Sequence, residues 1–439
     1  MSQPKRTLPD LGPATELRLP EAAERTLSNG LTVIVVPRPS VPLVELRLRV
    51  PFARAHLARS SVLAQTLLSG TDTMSTVDIA VELQKIGGGL SASTDPDRLL
   101  VSGDALAPEL PRLLELLAEV LTGAAYPAHE VATERERLAD RIRVALTQPA
   151  HLARVALLKR VYGRHPYAVQ TPSPEQVLAV RSGGLRQLHA ERVHSGGATL
   201  TLVGDLDPAR ALDDAERLLG RWEGGGETVE LPPVPELKPG PLTLVHREGS
   251  VQSSLRIAFG GVDRTHPDHA ALQLANLVFG GYFSSRWVEN IREDKGYTYS
   301  PRSALEHSVA GSTLVLSADV STEVTAPSLL ETEYELGRIA SLPVTEQELE
   351  QARQYALGTL QLGLATQAGL AGLASMLAGF GLRLDWLADH RQRLAEATQA
   401  DVYAAAHRYL APTHAATVVI GDAEQVEAPL RALTDVRRA

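Results

Sequence analysis

Apolar and polar residues alternate from Val44 to Val50 and again from Ser254 to Phe259, the period of a strand with one buried face. Each strand is followed by a helical pattern that stops at glycine: Ser60 to Leu68 before Ser69-Gly70, and Ala270 to Phe279 before Gly280-Gly281. A third pair follows. Val77 to Ile86 leads through Gly87-Gly88-Gly89 into the strand LSAST, and Ser285 to Asp294 leads through Lys295-Gly296 into a predicted strand YTYS. Each series closes on a β-branched run before Gly-Asp, Thr199 to Val203 and Thr417 to Ile420. The offset between matching segments drifts from roughly 209 to 217 residues, so the chain reads as one unit duplicated.

Asn29-Gly30 is a tight hairpin signal ahead of the run LTVIVV. Between the repeats, Gly224-Gly225-Gly226 through Pro239-Gly240-Pro241 is too rich in Gly and Pro for a helix or a central strand. The expected organisation is an arm at 1–20, a first domain at 21–223, a linker at 224–241 and a second domain at 242–439. The fold class is α+β. Each domain is expected to be a mainly antiparallel sheet packed with helices, the two facing each other like a clam shell with a ligand cleft between them.

The chain has 439 residues, more than one core usually holds, which agrees with two domains. With 43 Lys plus Arg against 52 Asp plus Glu, the net charge of −9 offers no general affinity for nucleic acid. There are no cysteines, which excludes disulfides, thiolate metal sites and cysteine nucleophiles. No window approaches the ~18 apolar residues of a membrane span, and the first twenty residues are broken by Pro and Asp before a secretory apolar run forms. No membrane association and a cytoplasmic location are expected.

The chemistry concentrates in residues 280 to 303, GGYFSSRWVENIREDKGYTYSPRS. Arg292 ends a helical segment, and Tyr299 follows the Gly296 turn on the expected strand, so an antiparallel return brings the two tips together. Tyr297 points to the other face by alternation. The plain alternative pairs Arg292 with Glu289 or Asp294 and packs Tyr299 on the sheet. The surrounding pattern, Phe279-Gly280-Gly281 through Ser284-Ser285-Arg286 to Arg292, Lys295-Gly296 and Tyr299-Ser300, resembles the C-terminal half of the pitrilysin or insulinase family of zinc peptidases. In that family an Arg and a Tyr seven residues apart bind the substrate carbonyl and the oxyanion. The resemblance runs from Leu27 to about Asp422.

Active members of that family carry H-x-x-E-H on a helix that ends in Gly-Thr, with a distant Glu as third zinc ligand. Counting back from Gly70-Thr71 puts Ser61, Val62, Leu63, Ala64 and Gln65 at the motif, and Arg143 stands seven residues after Glu136 of Glu134-Arg135-Glu136-Arg137. A hydroxyl, a methyl, an amide and a guanidinium supply neither ligands nor a base, so no metal is expected on this chain. Other histidines have plainer readings. His266-Pro267-Asp268-His269 is a helix start, His129-Glu130 lacks the second His of a zinc helix, and His165-Pro166-Tyr167 is a structural turn.

Gly89 to Thr94 resembles the edge strand on which relatives lay a peptide, although sheet structure alone explains it. Leu370 to Leu382 reads as a helix of small residues that packs rather than lines a chamber. The resemblance implies the subunit without zinc of a bacterial processing-peptidase-like pair. Arg292 and Tyr299 would complete the active site of a zinc-bearing homologous partner in peptide hydrolysis, with the chain inactive alone. The competing readings are a non-enzymatic scaffold or peptide-binding homodimer, and an autonomous peptidase with unusual ligands.

Overall fold

The computed structural model describes residues 19–225 and 229–439, so most of the expected arm and the middle of the Gly-rich stretch at 226–228 lie outside the described residues. Twelve strands are found among the described residues. The first sheet contains β1 (Ala23–Thr26), β2 (Thr32–Pro37), β3 (Leu43–Pro51), β4 (Gly89–Thr94), β5 (Arg98–Leu106) and β6 (Thr199–Gly204), in the order β1-β2-β6-β3-β5-β4. The second contains β7 (Leu242–His246), β8 (Gln252–Gly260), β9 (Arg302–Ser308), β10 (Gly311–Ser321), β11 (Ala416–Gly421) and β12 (Val436–Arg438), in the order β12-β7-β11-β8-β10-β9. From β2 and β7 onward the two orders correspond strand for strand. Both sheets keep one parallel pair at that position, β2 with β6 and β7 with β11, in otherwise mainly antiparallel arrays.

Alternation holds where the sequence shows it. In β3, Val44, Leu46, Leu48 and Val50 are buried while the intervening residues are half-buried. β8 is buried along both faces between its ends, against the one-sided burial expected of it. The cause is a helix exchange between the halves. The helix Pro149–Tyr162 of the first half lies on β8 and β11, where Leu157, Leu158 and Val161 share a core with Ala258, Val315 and Val418. Reciprocally, the helix Gln367–Ala378 of the second half lies on β3 and β6, where Leu370, Ala374 and Leu377 meet Val36 and Val203. Leu370 to Leu377 therefore packs, as its composition implies, while Ala378 and Gly379 just beyond line a cavity between the halves.

Polar contacts fix the exchange. Arg154 donates twice to the Glu306 carboxylate on β9, at 3.0 and 2.6 Å. Gln367 donates to the carbonyls of Arg38 and Val41 at 2.6 and 3.0 Å. Tyr167, fully buried in the His165-Pro166-Tyr167 turn, donates to Asp97 at 2.6 Å and accepts the Ala310 amide at 3.0 Å. His165 bonds the Pro232 carbonyl at 2.8 Å, so this turn ties both halves to the extended stretch between them.

Among the described residues no single helix is long and apolar enough to cross a membrane. β4 is an edge strand, as the sequence suggested for residues 89–94.

Candidate functional site

The residues 280–303 fold around a buried indole. Trp287 stacks on Phe279 with ring centroids 5.5 Å apart, and its Nε1 donates to Thr332 Oγ1 at 3.0 Å. Gly280 is required at this contact, because a Cβ there would stand 2.9 Å from the indole. The helix His269–Asn276 opens into a π-helical turn at Leu277–Gly281, and the helix Arg286–Val288 into a second at Glu289–Asp294. Wide turns of this kind shift side chains off the regular helical face and recur at functional sites.

The inward face is held by charge-assisted bonds. Arg286, 7% exposed, donates Nε and Nη2 to the Glu348 carboxylate at 2.6 and 2.7 Å. Burial of Glu348 works against its ionisation. The Arg286 fork and the Thr345 amide and hydroxyl outweigh it and bring the carboxyl down to about 2. Asn290 donates to Glu331 and Glu335, both at 3.0 Å.

The outward face carries Arg292. Its guanidinium carbon lies over the Phe283 ring at 4.3 Å and over the Tyr299 ring at 5.2 Å. Its Nε is 3.3 Å from the Glu293 carboxylate, so the ion partner is neither Glu289 nor Asp294. Tyr299 is 83% exposed and Phe283 59% exposed, leaving the stack open to solvent. Tyr299 does not sit on a strand. Residues 297–301 are irregular and β9 begins at Arg302, because Thr298 spends its hydroxyl on the Asp319 carbonyl at 2.8 Å and Pro301 has no amide to donate to a ladder. The two residues named from sequence thus meet through a loop. Phe283 was not singled out, and its exposure beside Ser284 is visible only in three dimensions.

In the first half, the helix Leu57–Thr66 carries the residues at the motif positions. Val62, Leu63 and Ala64 are buried on the sheet, and the Ser61 hydroxyl donates back to the Leu57 carbonyl at 2.9 Å. Gln65 points outward and its Oε1 accepts from Arg141 Nη2 at 3.3 Å.

On the helix Ala128–Ala145, Arg143 pairs instead with Asp140 at 2.6 Å, and Arg141 faces the motif helix. Two positions along a helix turn a side chain to nearly the opposite face, so both arginines cannot look the same way. These residues do not fit a zinc ion. A self-bonded hydroxyl, a buried methyl and an amide hydrogen-bonded to a cation provide neither ligands nor a base.

Among the described residues no group of three or more metal-ligating side chains is poised for an ion. The remaining histidines sort by environment. His266 Nδ1 accepts the Asp268 amide at 3.0 Å, and Asp268 stands just before the helix His269–Asn276, bonding Arg408 and Tyr409 at 2.9 and 2.7 Å. His269 contacts His307 and His390, with ring centroids at 5.2 and 4.9 Å. Burial first, then the neighbouring imidazole and guanidinium charges, push His269 down to about 2. Burial and then nearby guanidiniums push His307 and His390 to about 4. Sequence spacing could not gather these three, which come from separate elements.

Comparison with known proteins adds to this geometry. Residues 60–175 match the family model described as insulinase (peptidase family M16), and residues 183–355 match the peptidase M16 inactive domain. The chain is 26% identical over 347 residues to the uncharacterized zinc protease YmxG of Bacillus subtilis, covering 77% of this chain and 83% of that protein. It is 25% identical over 320 residues to the probable inactive metalloprotease YmfF of Bacillus subtilis, covering 66% of this chain and 73% of that one. Its fold is similar to that of a peptidase M16 inactive domain from Pseudomonas fluorescens, with TM-score 0.85 at 23% identity over 91% of this chain and 98% of the other. It is likewise similar to that of a protease from Helicobacter pylori, with TM-score 0.84 at 19% identity over 92% of this chain and 100% of the other.

Proposed function

This chain belongs to the insulinase family of peptidases, family M16, and from that premise we propose that it is the subunit without zinc of a two-subunit metallopeptidase. Arg292 and Tyr299 act on the substrate carbonyl at the active site of a zinc-bearing homologous partner. The observation that carries this reading is the open stack of Arg292 on Tyr299 and Phe283, two rings that stay largely exposed among the described residues.

The guanidinium and the phenol are both hydrogen-bond donors, the chemistry that a developing oxyanion requires. Their backbone is anchored through Trp287, Arg286 and Thr298, so the donors are oriented before substrate arrives. In the complex the partner supplies the metal and the base, and this chain supplies electrostatic stabilisation. The replacement of both histidine ligand positions by Ser61 and Gln65, and of the base position by Ala64, supports a division of labour between subunits.

The test is to mix the purified chain with a zinc-bearing homologue and follow co-elution and cleavage of a fluorogenic peptide. The complex is expected to form and cleave in a metal-dependent way. Arg292→Ala and Tyr299→Phe should assemble normally and lose roughly 10²-fold in turnover, the scale of removing one oxyanion donor. Unchanged turnover in both variants sinks the assignment. Absence of both complex and cleavage supports the scaffold or homodimer instead.

A further inference from the structure

The two halves enclose a cavity of about 410 Å³ whose wall includes Arg49, Asp97 and Arg98 from the first sheet region, Glu230 from the connecting stretch, and Ala310 and Gly379 from the second half. Its charge arrangement is unusual for a structural junction. Arg49 Nε donates to Ser375 Oγ at 2.7 Å. Arg98, nine-tenths buried at 9% exposure, donates Nη2 to the Gly379 carbonyl at 3.0 Å and lies over the Phe380 ring at 5.3 Å. Among the described residues neither guanidinium has a carboxylate within the 4.0 Å of an ion pair.

The nearby carboxylates are only partly engaged by other donors, and burial of Asp95 raises its carboxyl while the Arg98 charge favours the ionised form. Asp97 accepts from the Tyr167 hydroxyl and from the Val309 amide, at 2.6 and 3.2 Å. Asp95 accepts the amides of Asp97 and Arg98, both at 2.7 Å. Glu230 is on the exposed rim.

Two like charges drawn from water into one cavity raise the free energy of the folded chain unless an anion compensates them. Arg49 registers that conflict: burial first, and then the Arg98 charge, hold its guanidinium down at about 10, with Asp95 opposing only in part. Each arginine also reaches from the first half to the second, so one contact of each guanidinium is already spent on the seam. Gly379 keeps space for the second guanidinium, since a Cβ there would stand 3.0 Å from Arg98 Cζ.

We propose that this cavity binds a small oxyanion, a carboxylate or a phosphate, between the guanidiniums of Arg49 and Arg98. Both groups present oxygen pairs that match the fork of a guanidinium. The C-terminal carboxylate of a short peptide and free inorganic phosphate are the two sources of that chemistry. This assignment does not depend on Arg292, Tyr299 or a partner subunit, and it is tested on the isolated chain.

Isothermal titration uses three probes at fixed ionic strength: inorganic phosphate, a pentapeptide with a free C-terminal carboxylate, and its C-terminal amide. Saturable binding of phosphate or of the acid peptide is expected, with the amide silent. Arg49→Gln and Arg98→Gln should each weaken it by about tenfold or more, the scale of a lost charged hydrogen bond. Arg217→Gln, which removes an exposed charge paired with Asp214, should not. If Arg98→Gln does not fold, Gly379→Ala crowds the same guanidinium and should weaken binding in its place. Phosphate binding alone assigns the site to a free anion, and acid-peptide binding alone assigns it to a peptide terminus. Overturning results are no saturable binding by either, equal binding of amide and acid with phosphate silent, or wild-type affinity in both arginine variants.

Discussion

The helix Leu57–Thr66 and the segment that runs on from the helix His269–Asn276 occupy matching places in the duplicated topology, after β3 and after β8, yet they have diverged in opposite directions. The first has become pure structure. Val62, Leu63 and Leu67 fill the core, and Ser60, Ser61 and Thr66 return their hydroxyls to carbonyls of their own turn. The second keeps a buried anchor in Trp287 and holds Arg292, Phe283 and Tyr299 outward. A helix that packs by its apolar face can lose every catalytic side chain without losing its place, because ligands contribute nothing to its burial. Two exposed aromatic rings on one guanidinium are the opposite case: the fold gains little from them, so their explanation lies in what they face.

The largest expected effect comes from rebuilding the lost site. Ser61→His, Ala64→Glu and Gln65→His together with Arg141→Glu should bind zinc measurably in a competition assay. The same triple with Arg141 retained should bind on the order of 10³-fold more weakly, since it lacks the carboxylate and sets a cation near the ion. Equal affinity when Arg143→Glu replaces Arg141→Glu would remove the distinction between those two positions.

Next in size is the interlock. Leu157→Ala and Leu377→Ala each delete a buried side chain from a helix lying on the other half's sheet, and each should cost about 2–5 kcal/mol in denaturant unfolding. Either change should shift both halves together, followed through Trp222 in one and Trp287 in the other. Separate transitions would mean the halves are independent domains.

The pH dependence of stability is expected to separate the halves more gently. His269, His307 and His390 are held neutral by burial when folded and titrate near 6.5 when unfolded, so the unfolded chain binds more protons from about pH 6.5 down to about 4 for His307 and His390 and to about 2 for His269. Stability is fully present above 6.5 and falls as pH falls through that window. Glu348 adds a further loss between 4.5 and about 2 as its carboxylate protonates. His390→Gln should flatten part of the upper slope in urea titrations, and an unchanged slope would exclude the cluster as its source. The smallest effect is expected of Phe283→Leu in the proposed two-subunit complex. It removes one cation–π contact of about 1 kcal/mol and should lower turnover severalfold while leaving assembly intact.

Much of this was legible along the chain. The alternation in β3, the glycine stops and the Gly-Asp closures mark the duplication, and those signals are local: strand period and turn chemistry act between neighbours. YTYS has strand composition, yet Tyr299 stays irregular: Pro301 interrupts the ladder locally, and the Thr298 anchor acts through β10. Counting along the chain points to Arg143. The face of a helix is decided by rotation, and the Arg141 contact with Gln65 needs two helices to be placed.

The sequence by itself determined two similar α+β halves, the loss of the zinc motif at Ser61, Ala64 and Gln65, and the identity of Arg292 and Tyr299 as a candidate pair. The first is a property of residue type and spacing, and the other two are what the resemblance to the peptidase family implies for these positions. Only the tertiary structure decided that the halves exchange helices, that Arg141 covers Gln65, that Phe283 joins the Arg292 stack, and that Arg49 and Arg98 share a cavity. Those features join residues tens to hundreds of positions apart, or turn on which way a loop directs a side chain. Burial and charge between such groups arise only when the two sheets have closed on each other's helices.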